Sequence, residues 1–138
     1  MRGEMLKKPP AGYPRISPYL NYEDTGSMMV WLERVFGLQP RHRQTDCDGR
    51  VLHAEMTIDD GVVMMGSPGG SFQNPRHLGH STQSLYVYID NVDMHCEQAK
   101  SAGAKIIEEP NTQPYGDRRY GVSDPEGHIW YFAARFES

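Results

Sequence analysis

A chain of 138 residues with 38% apolar content is one domain's worth of sequence, long enough to bury a sizeable core. Fourteen Lys and Arg against eighteen Asp and Glu leave a formal net charge of −4, and the basic residues are dispersed, densest at Arg41/Arg43 and Arg118/Arg119. Nucleic acid and anionic membranes demand a concentrated basic face and are excluded as main partners; no apolar run approaches the roughly 18 residues that span a bilayer.

The N-terminus, MRGEMLKKPPAGYP, carries charges but no apolar h-region, so residues 1–15 read as a short flexible arm rather than a signal peptide. Cys47 and Cys96 make neither a CxxC motif nor a disulfide framework, which suits reduced thiols and a cytoplasmic location. Residues 16–138 form a single domain. ISPYLNYED (16–24) alternates and is aromatic, as a strand does. TGSMMVWLERVFG (25–37) places Met28, Met29, Leu32, Val35 and Phe36 on one helical face and ends on Gly37. Strands follow at about 39–47, 50–58 and 61–66, with turns at Asp48-Gly49 and Asp60-Gly61.

The polar, glycine-rich segment 67–83 breaks the pattern, which then restarts. SLYVYID (84–90) is a strand, and NVDMHCEQAKSAG (91–103) a helix with Val92, Cys96, Ala99 and Ala102 inward. KIIEEP (105–110), RRYGVSD (118–124) and HIWYFAA (128–134) are further strands, the last two joined through Pro125-Glu126-Gly127. Three landmarks repeat at one spacing: Tyr22 with Ile89 (89 − 22 = 67), Gly37 with Gly103 (103 − 37 = 66), and Gly61 with Gly127 (127 − 61 = 66). The unit is βαβββ, present twice, with module 1 at 16–66, a linker at 67–83 and module 2 at 84–138. Neither unit can bury its sheet face alone, so the two must combine into an α+β fold.

The doubled βαβββ order, the helix exits VFGLQP and SAGAKI, and the segment YGDRRYGVSDPEGHIWYF resemble the glyoxalase / bleomycin resistance / extradiol dioxygenase family, the vicinal oxygen chelate superfamily. The resemblance runs from Ile16 to Arg135. It implies two modules forming a half-open curved-sheet barrel with helices outside, a cavity within the curve, and a homodimer. In the family's enzymes a divalent metal in that cavity chelates vicinal oxygens of a small substrate. Carried onto this chain, the ligand positions of the first and last strands fall on Ser17, Ser84, Met65 and Tyr131. Two hydroxyls, a thioether and a phenol are poor ligands for a hard divalent ion, which wants imidazole and carboxylate. A slip by one residue offers Gln83 and Trp130, which restores nothing. No cofactor is therefore expected.

The histidines do not supply a substitute. His128 alternates with Trp130 and Phe132 and is expected on the face opposite Tyr131, capping or bridging near the turn. His42, His77, His80 and His95 fall on an edge strand, the linker or a helix surface. In VLHAEMTID, by contrast, Leu52, Ala54, Met56 and Ile58 occupy one face while His53 and Glu55 share the other, a candidate acid–base couple. The same alternation collects Ser17, Tyr19, Asn21, His53, Glu55, Met65, Ser84, Tyr86, Tyr88 and Tyr131 on the concave face, with Arg119 indistinguishable in parity from Arg118. That aromatic, hydroxyl-rich surface suits a planar organic ligand. Two functions stay open: a binding protein for a small aromatic ligand without the usual metal, or a glyoxalase-like lyase, isomerase or dioxygenase-type enzyme using His53/Glu55 or an atypical divalent ion. A third is a filled cavity with a purely interacting role.

Overall fold

The structure is a computed structural model that describes residues 8–136; residues 1–7 of the expected arm lie outside the described residues. β1 (Tyr19–Asn21) is shorter than the alternation over 16–24 suggested. Pro18 has no N–H to donate, so it contributes only its carbonyl, to Met64 N, before the ladder begins. α1 (Thr25–Trp31) is capped by Asp24, whose carboxylate accepts from Ser27 N, and runs on as a π-helical turn over Leu32–Phe36. Gly37 ends it at φ 82°, a conformation with no cost for glycine. All five residues of the expected apolar face are buried.

β2 (Gln39–Thr45), β3 (Val51–Ile58) and β4 (Gly61–Gly66) complete module 1. The linker contains a short helix, α2 (Pro75–Leu78), absent from the sequence reading although Asn74-Pro75 is a helix-start pair: Asn74 accepts from His77 N and Gly79 follows at φ 90°. β5 (Ser84–Tyr88), α3 (Val92–Ser101), β6 (Lys105–Thr112), β7 (Asp117–Ser123) and β8 (Ile129–Arg135) repeat the plan.

The result is the α+β architecture of two βαβββ modules, each a mixed four-stranded sheet, in orders β1-β4-β3-β2 and β5-β8-β7-β6. β1 pairs parallel with β4 and β5 with β8; the other pairs are antiparallel. Helices cover one face of each sheet and leave the other open. The covered faces share a core, in which Phe36 meets Trp130 and Phe132 at 5.3 and 4.7 Å between ring centroids. His95, expected on a helix surface, instead sits between the modules: Nε2 donates to Phe36 O at 3.0 Å and Nδ1 accepts from the Tyr120 hydroxyl at 2.5 Å. Burial holds its pKa below the usual imidazole range.

The turn between β7 and β8 fastens module 2 to module 1. Asp124 Oδ2 accepts from the Tyr22 hydroxyl and Trp130 Nε1, and its Oδ1 from the backbone N–H of Glu126 and His128. Burial pushes its carboxyl upward against those four donors. The Glu126 carboxylate receives Glu23 N, Asp24 N and Asn74 Nδ2 at 2.6, 2.8 and 2.9 Å. His128 bridges as expected, with Nε2 2.9 Å from Asn21 O and its ring edge-on to Tyr22. Among the described residues no helix is long and apolar enough to cross a membrane.

Candidate functional site

The open face of the second sheet is an aromatic platform. Tyr86 and Tyr131 face each other across the parallel β5–β8 pair with centroids 6.4 Å apart and planes 28° from parallel. Tyr88 meets Tyr86 edge-on at 5.6 Å. Parity that the sequence left open is resolved by the ladder: Arg119 lies over the Tyr131 ring at 4.7 Å, whereas Arg118 turns to the helix side and pairs with Asp93. Gly121 makes the packing possible, since a Cβ there would lie 2.8 Å from Tyr131 Cε1 and 3.0 Å from Ile107 Cγ1.

Two buried or half-buried acids organise this face, and sequence reasoning missed both. Asp117 is fully buried and accepts from the hydroxyls of Tyr86 and Tyr88 at 2.7 and 2.8 Å and from Arg135 Nε at 2.5 Å. Burial first, then the hydrogen bonds to Tyr115 and Asp117, raises the Tyr86 phenol well above its usual range; bonding to Asp117 raises Tyr88. Glu108 holds Arg119 through both of its oxygens at 2.8 and 3.2 Å. The phenol oxygens are therefore committed within the protein while the residues as a whole stay exposed, Tyr86 at 40% and Tyr88 at 54%. A cleft of ≈ 510 Å³ runs beside them, with Pro18, Val62 and Val63 of module 1 among its walls and Ser84 at its edge.

The open face of module 1 carries the expected His53, Glu55 and Tyr19. Tyr19 lies across Gly66 with its hydroxyl 2.9 Å from His53 Nδ1, and His53 Nε2 is 3.6 Å from Glu55 Oε2. Glu55 has further partners that the sequence did not reveal. Tyr13 donates to Oε1 at 2.6 Å and Arg41 Nη2 to the same oxygen at 3.2 Å, while the Arg41 guanidinium covers the Tyr13 ring at 4.2 Å. The Tyr13 hydrogen bond, with Arg41 and His53, holds the carboxyl below its usual range despite burial. A carboxylate whose pKa is lowered is a weaker proton acceptor. The described end of the expected arm is thus docked on the sheet through Tyr13.

Two expected placements need correction. Met65 is not on the open face: it is fully buried in the core, and Met64 takes the place beside Tyr19 and Glu55. The reason is the β3–β4 turn, which closes on Asp59 at φ 49° rather than on Gly61, so Gly61 already belongs to β4 while Gly127 is still in its turn. Strand pairing gives the true spacing, Tyr19 opposite Met64 and Tyr86 opposite Tyr131, both 67 apart (86 − 19 and 131 − 64). The expected set also separates into two groups. Among the described residues no hydrogen bond or ring contact joins Tyr19, His53 and Glu55 to Tyr86, Tyr88, Tyr131 and Arg119. Asn21 lies near the former, on β1, and Ser17 just precedes that strand.

The residues at the metal positions do not fit a catalytic divalent ion. With Met64 in place of Met65 the donors are still two hydroxyls, a thioether and a phenol. Among the described residues, no three His, Cys, Asp or Glu side chains converge as such an ion requires.

Two mixed βαβββ sheets packed through their helices define a class of fold, and the sequence agrees with it: residues 14–132 match the Glyoxalase/Bleomycin resistance protein/Dioxygenase superfamily, to which the chain belongs. An uncharacterized protein of Mycobacterium bovis is 30% identical over 122 residues, 85% of this chain and 80% of that one. The crystal structure of TioX from Micromonospora sp. ML1 is 32% identical, covers 89% of this chain and 99% of its own, and superposes with a TM-score of 0.73. The fosfomycin resistance protein FosX from Listeria monocytogenes, solved with Mn(II) and sulfate, shares the fold at a TM-score of 0.66 and 13% identity, over 89% of this chain and 90% of that one.

Proposed function

We propose that this protein binds a small, flat, aromatic molecule in the cleft beside Tyr86 and Tyr88, working as a binding protein without a catalytic metal and as a homodimer. The observation that carries the reading is the tethering of both phenols to Asp117 in residues that remain 40% and 54% exposed. Rings fixed at the oxygen lose little conformational freedom on contact, so they present pre-arranged stacking surface. The volume of ≈ 510 Å³ suits a two- or three-ring molecule. Open tyrosines on both modules, Tyr19 at 48% among them, also suit a second copy of the chain covering them. The donor chemistry at the metal positions and the engagement of Glu55 by Tyr13 and Arg41 favour binding over His53/Glu55 acid–base catalysis.

Thermal shift with planar probes (acridone, anthraquinone) against a globular one of similar lipophilicity (1-adamantanol) tests the reading, alongside metal analysis of protein prepared without chelator and sedimentation with and without probe. Planar compounds should raise Tm, the Tyr86→Ala variant should lose that shift, and chelator should not alter it. One tightly held divalent ion per chain, or equal shifts from planar and globular probes, would overturn it.

A further inference from the structure

A second cleft, of ≈ 470 Å³, lies where the linker crosses the end of the second sheet. Its lining includes three basic side chains, Arg76, His80 and Lys105, together with Trp31, Ile107 and Ile129. The sheet wall is one cross-strand row, Lys105 opposite Ser123 and Ser123 opposite Ile129. The linker wall is held in place: Arg76 N donates to Glu126 O at 2.9 Å, Asn74 N to Glu23 Oε2 at 2.9 Å, and His77 Nδ1 lies 2.6 Å from Glu23 Oε2. Gly127 admits the linker backbone, since a Cβ there would come within 3.1 Å of Arg76 Cα.

The charges in this cleft are not balanced by the protein. Among the described residues, none of the three basic groups has a carboxylate within 4.0 Å, although seven other Lys, Arg or His side chains do. The acid in the lining, Asp124, spends both oxygens on Tyr22, Trp130 and two backbone N–H groups. Glu23, within electrostatic reach of Arg76, is bonded to His77 and Asn74. Two cations and an imidazole beside an indole and two isoleucines, in a chain whose net charge is −4, set basic hydrogen-bond donors over an apolar floor.

We propose that this cleft binds a small organic anion: a carboxylate or phosphate held by Arg76, Lys105 and His80, with an aryl or alkyl body against Trp31, Ile107 and Ile129. This cleft shares no lining residue with the one beside Tyr86 and Tyr88. Nitrogen-15 NMR of the full chain tests it through the indole resonance of Trp31, assigned by Trp31→Phe; the other indole, Trp130, is fully buried. 1-Naphthoate and 1-naphthyl phosphate should shift the Trp31 signal saturably, and 1-naphthamide should not. Lys105→Gln and Arg76→Gln should each weaken the anions about five-fold, with melting temperature unchanged, because each removes one exposed charge-assisted contact. Tyr88→Ala should leave the affinity as it is. Equal binding of the amide, anion affinity indifferent to both substitutions, or no movement of the Trp31 signal at millimolar anion would overturn the proposal. If phosphate ester and carboxylate differ, the tighter one names the headgroup.

Discussion

Replacing Glu126 by Ala removes a single carboxylate that serves three donors on two other segments: the backbone N–H of Glu23 and Asp24 at the start of α1, and the Asn74 amide that caps α2. Each donor left without an acceptor costs about 1–3 kcal/mol, and the low end applies to the two near the surface. The sum is about 3–5 kcal/mol, a large part of the roughly 5–15 kcal/mol that holds a domain together. For a chain of this size it corresponds to a fall in Tm of about 10 °C. Glu126→Gln keeps the shape but turns an NH2 group toward donors, so it should lose about half as much. Urea titration measures the loss, and hydrogen exchange should place the first opening at residues 23–25 and 74–78. A loss below about 1 kcal/mol for the alanine variant, or exchange unchanged at those positions, would refute the claim that this turn fastens the modules.

Three further outcomes follow from the same contacts. Tyr86→Phe keeps the ring and loses the bond to Asp117, so planar-probe affinity should fall by no more than about three-fold, whereas Tyr86→Ala should cost ~10-fold; equal losses would show that the hydroxyl rather than the ring carries binding. Tyr13→Phe removes the principal cause of the lowered Glu55 pKa. Glu55 stabilises the fold above the ordinary carboxylate range, about pH 4.3, and its contribution disappears as pH falls through its lower folded value. The Glu55 13Cδ titration should therefore move upward in the variant, and an unchanged midpoint would sink the assignment. Burial instead favours the neutral form of His95 in the fold, so the unfolded chain takes up a proton first as pH falls below about 6.5 and stability drops. Denaturation midpoints across pH 7 to 5 should show that fall, and His95→Leu should flatten it.

The repeat, the helix faces and the order of strands were readable because their signals are local. Met28, Met29, Leu32, Val35 and Phe36 recur at helical spacing whatever lies around them, and Gly37 and Gly103 end helices by their own conformational freedom at φ 82°. His53 and Glu55 were placed on one face by the two-residue period of a strand, and the structure keeps them there. Counting from the turn glycine misplaces Met65, since a turn closing on Asp59 instead of glycine shifts the register by one and puts each later side chain on the opposite face.

What belonged to the tertiary structure alone is the set of pairings between residues distant in sequence. Tyr13 reaches Glu55 across 42 positions, Tyr86 reaches Asp117 across 31, and Tyr22 reaches Asp124 across 102. No periodicity encodes such contacts: a hydrogen bond depends on where two strands or a turn come to rest, and that is decided by packing of the shared core. The sequence determined which faces could be open and what chemistry they would carry; folding decided which phenols would be tethered, which acid would hold them and which basic side chains would be left facing a cleft.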